Sequence, residues 1–182
     1  KSFGKLNKNK SNAILVCHAL TGDQFATGKN PITNKDGWWE RMVGQDKPID
    51  TNKYFVICSN VLGGCVGSTG PKEMNIKTNS PFGADFPSIT IRDIVKVQKY
   101  LIDALNIEKI FAVVGGSMGA MQVLQWTIDF PDKIINAIHI AGALKHSAQN
   151  IAFHEVGRQA IMNDISWNKG RYKEKETKPE RG

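Results

Sequence analysis

The stretch Val114-Gly-Gly-Ser-Met-Gly-Ala-Met-Gln-Val-Leu-Gln-Trp126 sets Gly115-x-Ser117-x-Gly119 between an apolar run, Ile110 to Val114, and an apolar helical pattern that begins at Met118. A strand that must become a helix across so few residues forces Ser117 into tight, strained backbone geometry. Glycines at 115 and 119 remove the Cβ atoms for which neighbouring chains would leave no room. The pattern is that of a nucleophile elbow, which presents a serine hydroxyl at the edge of a sheet. A bare G-x-S-x-G arises by chance in glycine-rich loops, so the strand and helix signals on its two sides carry the weight here.

Three further apolar runs read as strands: Ala13 to Cys17, Tyr54 to Ser59 and Ile134 to Ala141. None alternates strictly. Near-continuous runs of this kind, separated by helical stretches, predict a mostly parallel sheet with helices on both faces, the α/β class. One helix is expected over Thr90 to Leu105, with Gln98 interrupting its apolar stripe. A second should run from Met118 to about Phe130, stopped by Pro131, and a third from about Ala148 to Asn163. Residues 21–37 and 62–88 are long Gly-, Pro-, Asn- and Thr-rich loops that follow strands, at the edge where such sheets bind ligands. At 182 residues the chain has room for one sizeable core, assigned to residues 1–168. Residues 169–182 form a polar, basic tail with too little apolar surface to offset its ordering entropy.

The net charge of +7 sits at the ends, with four lysines in residues 1–10 and six basic against three acidic residues in 169–182. The remainder balances, so terminal lysine runs rather than a basic face explain the charge, and nucleic acid is not expected as a partner. No apolar run approaches the roughly 20 residues of a membrane span. Cys17, Cys58 and Cys65 make no C-x-x-C pair and are odd in number, which suits reduced thiols in a cytoplasmic protein; Cys17 and Cys58 read as core residues and Cys65 as more exposed. His18, His139, His146 and His154 lack the spacing of a helical metal site, and no metal is expected. His139 lies in an apolar strand pattern and reads as a core residue. Asp129, Asp132 and Asp164 hold helix-end positions that suit capping or solvation. Arg158 can equally pair with an acid or face a pocket. The chain lacks both an initiator methionine and a signal peptide, which suggests a start within a longer protein.

A second donor of an oxyanion hole is expected from a loop after an earlier strand, and His18-Ala-Leu-Thr-Gly22 follows Ala13 to Cys17. The backbone N–H groups of Leu20 and Met118 are the two candidate donors. Residues 63–70 are glycine-rich but lack the lysine and spacing of a phosphate-binding loop. Together, His18-Ala-Leu-Thr-Gly22, Asn60-Val-Leu-Gly-Gly-Cys-Val-Gly-Ser-Thr-Gly-Pro71, Gly115-Gly-Ser-Met-Gly-Ala-Met-Gln122 and the segment His146 to Ile161 closely resemble the homoserine O-acetyltransferases of methionine biosynthesis. The resemblance runs from residue 2 to about 168. It implies an α/β-hydrolase fold truncated at both ends, with Ser117 accepting an acetyl group from acetyl-CoA and passing it to L-homoserine, and a homodimer in the full-length family. It also implies that the histidine base, its orienting acid and the substrate-binding arginine lie beyond residue 182, so that this segment is inactive alone. A serine hydrolase of the same fold and a non-catalytic fragment are the alternatives.

Overall fold

The computed structural model describes residues 1–171 and 177–180, so residues 172–176 and 181–182 of the expected tail lie outside the described residues. The chain forms two compact units, Lys1–Ser68 with Ile89–Ala143, and Thr69–Ser88 with the residues from Leu144 onward. In chain order the first unit holds strands β1 (Ser2–Phe3), β2 (Ala13–Cys17), β3 (Val43–Gly44), β4 (Ile49–Asp50) and β5 (Phe55–Cys58). The second contributes the short hairpin β6 (Met74–Asn75) and β7 (Ser80–Pro81). Helix α1 (Ile91–Ala104), β8 (Ile110–Gly116), α2 (Met118–Asp129) and β9 (Ile134–Ile140) return to the first, and α3 (Ala148–Met162) belongs to the second.

Among the described residues, five strands make the main sheet in the order β1-β5-β2-β8-β9. Only β1 is antiparallel to its neighbour; β2 pairs in parallel with β5 (Val16 opposite Cys58) and β8 (Cys17 opposite Gly115), and β8 pairs in parallel with β9. The chain leaves β2 to one side to form β5 and returns to its other side as β8. The carboxyl end of β2 therefore stands at a topological switch point, where open sheets of this type carry their sites.

The apolar runs do not alternate because both faces of the central strands are covered. Ala13, Leu15 and Cys17 pack with Val95 and Ile102 of α1 and Val123 and Trp126 of α2. Ile14 and Val16 face the opposite way, onto Ala26, Val43 and Trp39 from the segment that follows β2. Helix α1 starts with a capping box in which the Thr90 side chain accepts from the Asp93 N–H and Asp93 accepts from that of Thr90, satisfying two of the otherwise orphaned amides of the first turn. Arg92 forks onto Asp129 with Nη2 2.8 Å and Nε 3.1 Å from its oxygens. Asp129 thus joins the two helices where capping or solvation was expected, because side-by-side packing brings the first turn of α1 opposite the last of α2.

Strand β9 departs from expectation. Apart from the half-buried Ile134 it is exposed along its length, and His139 with it, so His139 is no core residue. The apolar pattern identifies a strand but not its rank in the sheet; as the last strand among the described residues, β9 has no neighbour on its outer side. In the second unit, α3 is capped by Ser147, whose hydroxyl accepts from Asn150 N–H, and buries none of its residues. Arg158 pairs with Glu155 one turn earlier. Asp164 caps the short 3-10 segment Ile165–Gly170, accepting from Ser166 N–H at 2.7 Å.

Candidate active site

Ser117 occupies the single residue between β8 and α2, with φ 56° and ψ −120°. This is left-handed backbone that a serine adopts only under constraint. Three hydrogen bonds and the pairing of β8 supply the constraint. The Ser117 N–H donates to Ile140 O at 3.1 Å, its carbonyl accepts from Ala120 N–H (3.0 Å) and Met121 N–H (3.2 Å), and β8 is held by pairing on both sides. Its side chain caps no helical amide and is exposed, which leaves the hydroxyl for chemistry.

The glycines of the elbow have measurable reasons. A Cβ on Gly119 would lie 2.1 Å from Cys17 O, and one on Gly115 would lie 2.6 Å from Gly119 O and 2.8 Å from Cys17 O. The first turn of α2 therefore presses directly on the carboxyl end of β2, where residues 18–22 begin. Two amides of the expected oxyanion hole arise from these two touching segments. Met118 N–H precedes the first amide bonded within α2 and so belongs to the orphan donors of a helix N-terminus. Leu20 lies in a turn closed by Gly22 N–H donating to Ala19 O at 3.0 Å, a bond that leaves the Leu20 amide unused, and its side chain is 72% exposed.

His18, part of the same motif, has a role that sequence reasoning did not assign. The buried ring places Nδ1 2.8 Å from Ala19 O and Nε2 3.1 Å from the N–H of Val61. A carbonyl requires a proton on Nδ1 and an amide requires a lone pair on Nε2, so the contacts specify the neutral Nδ1–H tautomer. Burial pushes the pKa below the ordinary value, more than the Ala19 carbonyl and the Asp23 charge raise it. His18 thereby pins the loop after β2 to the loop after β5, and with both nitrogens engaged it is no base for Ser117.

Beneath the elbow, Gln122, Gln98 and Trp126 form a buried polar chain, with Trp126 Nε1 2.8 Å from Gln98 Oε1 and Gln98 Nε2 2.8 Å from Gln122 Oε1. Gln98, which as sequence only interrupts an apolar stripe, is one link of it. His139 is exposed on β9, opposite Gly115 of β8. In the second unit His146 and His154 stack ring on ring, 5.3 Å between centroids. Cys17 and Cys58 are buried and Cys65 is exposed. Burial pushes the Cys58 thiol up to about 12, so it stays protonated at neutral pH. Among the described residues no cluster of three His, Cys, Asp or Glu side chains is placed to hold a metal, and no helix is long and apolar enough to cross a membrane.

A mostly parallel sheet with a strained serine on a strand-to-helix elbow, beside its switch point, defines an α/β fold of the hydrolase type. The chain belongs to the alpha/beta hydrolase fold family, whose pattern matches residues 12–181. It is 58% identical over all 182 residues to the homoserine O-acetyltransferase of Rhodospirillum rubrum, of which it covers 46%. Among solved structures, it is similar to the homoserine O-acetyltransferase of Bacillus anthracis (34% identity, TM-score 0.87, 94% of this chain and 48% of that one). It is similar to the same degree to esterase E22 (37% identity, TM-score 0.86, 94% and 48%). The chain spans about half the length of the curated relatives it matches.

Proposed function

We propose that this chain is the nucleophile-bearing part of a homoserine O-acetyltransferase working through an acetylated serine. In the first half-reaction Ser117 Oγ attacks the thioester carbonyl of acetyl-CoA, its proton passes to a general base, and coenzyme A leaves as the thiol, carrying a proton from that base. In the second, the L-homoserine hydroxyl attacks the seryl ester, loses its proton to the same base, and Ser117 leaves reprotonated. Leu20 N–H and Met118 N–H hold the oxyanion of both tetrahedral species, and a lost donor of this kind costs on the order of 10² to 10³ in rate. The base and its acid are assigned to the polypeptide after residue 182, in keeping with the engagement of both His18 nitrogens.

The observation that carries this reading is the 58% identity to a homoserine O-acetyltransferase across a chain that includes the elbow and both flanking loops. The similarity to esterase E22 favours a second reading, in which water takes the place of homoserine. The test uses the full-length protein. Acetyl-CoA alone should add one acetyl group by mass, Ser117→Ala should abolish both that label and turnover, and homoserine should discharge the label faster than water does. A label lost equally fast with and without homoserine identifies the hydrolase instead, and a succinyl-CoA arm run in parallel decides the donor. Residues 1–182 expressed alone should show negligible turnover, since loss of triad members costs about 10⁴ to 10⁶ in rate; O-acetylhomoserine formation at about 10 per second would place a base within this chain.

A further inference from the structure

The carboxamide of Gln122 is fully buried one turn into α2, where an apolar side chain would fill the same space without the cost of a polar group. Its orientation follows from its neighbours. The indole N–H of Trp126 can only donate, so Gln98 turns Oε1 toward it and Nε2 toward Gln122. Gln122 must then present Oε1 to Gln98 and its NH2 group to the other side. That group has two hydrogens and two acceptors: His18 O at 3.1 Å and Met118 O at 3.2 Å. One acceptor lies two residues before Leu20, and the other belongs to Met118 itself.

We infer that Gln122 is a positioning residue of the oxyanion site, its amide strapping the strand-exit loop that carries the Leu20 N–H to the helix start that carries the Met118 N–H. The inference rests on the acyl-transfer reading above. The two donors come from segments more than ninety residues apart in sequence and must both reach one oxygen within about 3 Å. Glycine at 119 permits the segments to touch, but contact alone does not fix their sliding or rotation. Two hydrogen bonds from one planar group do, and the Gln98–Trp126 relay keeps that group from flipping. Gln122 never meets the substrate; it sets where the amides stand before the substrate arrives.

The test compares Gln122→Met with the wild type in the full-length protein. Methionine keeps the length and burial of the side chain but donates to neither carbonyl. Misplacing a catalytic group by about 1 Å costs on the order of 10²-fold in rate. The expected result is a fall in kcat for acetyl transfer of about that size, with KM for acetyl-CoA and homoserine within about threefold of the wild type. A phosphonate ester that labels the serine through a tetrahedral, anionic adduct should react more slowly by a similar factor. Gln122→Glu, of equal volume but unable to donate to both carbonyls, carries the same test where the methionine variant does not fold. A folded variant with wild-type kcat and phosphonate labelling overturns the inference. So does one whose loss lies wholly in KM. Loss of acetyl transfer in Ser117→Ala, measured alongside, keeps the two failures apart: if Ser117→Ala retains activity the acyl-transfer reading falls, and if only the Gln122 variants behave as wild type the strap alone falls.

Discussion

His18 is held neutral by burial, and the direction of that shift fixes its effect on stability. The unfolded chain takes up a proton on this residue as pH falls through about 6.5, whereas the folded chain takes it up only at lower pH. The stabilisation is therefore complete above the unfolded pKa and declines as pH falls below about 6.5 toward the lowered folded value. Replacing the ring by leucine removes the acceptor of the buried Val61 N–H, which should cost about 1–3 kcal/mol at pH 7.5. The His18→Leu protein should also lose less stability than the wild type between pH 7.5 and 5.5. Denaturant unfolding at the two pH values checks both statements, and equal pH slopes in the two proteins would show that His18 is not the group responsible. The motif His18 to Gly22 was legible in the sequence as a candidate oxyanion loop. The pin was not, because its partner lies 43 residues away, on a loop whose path no local pattern specifies.

Helices α2 and α3 each contain a glycine, and the same substitution should act in opposite directions in them. Alanine is intrinsically the better helix former by about 1 kcal/mol. At Gly157 a Cβ meets nothing within 4 Å, so Gly157→Ala should stabilise α3 by up to about that amount. At Gly119 the Cβ would meet the carbonyl of Cys17, part of a central strand that cannot move aside, and the overpacking term of about 1–3 kcal/mol or more should outweigh propensity. Chemical denaturation of the two variants should give shifts of opposite sign, and under the proposed function the full-length Gly119→Ala protein should lose acetyl transfer besides. The need for glycine at 119 was readable because a strand–serine–helix turn is short enough for geometry to dictate it. The exposure of β9 was not, since an apolar run of seven residues looks the same with a strand paired on both sides or on one.

At the scale of the whole chain, the α/β class followed from strand runs that do not alternate, and the elbow from one pentapeptide in context. The relay of Gln98, Gln122 and Trp126 is not legible in the sequence because the second and third members lie 24 and 28 residues from the first, on two helices whose adjacency only the fold reveals. The bond from Ser117 N–H to Ile140 O has a meaning of its own. It couples the backbone of Ser117 to the tip of β9, the most exposed strand of the sheet among the described residues, so that the elbow can relax only when that tip lets go. Hydrogen exchange at the Ser117 amide should accordingly follow the fraying of β9 and not the slower opening of β8. A single proton on Ser117 thus serves as a gauge of how firmly the end of β9 is held.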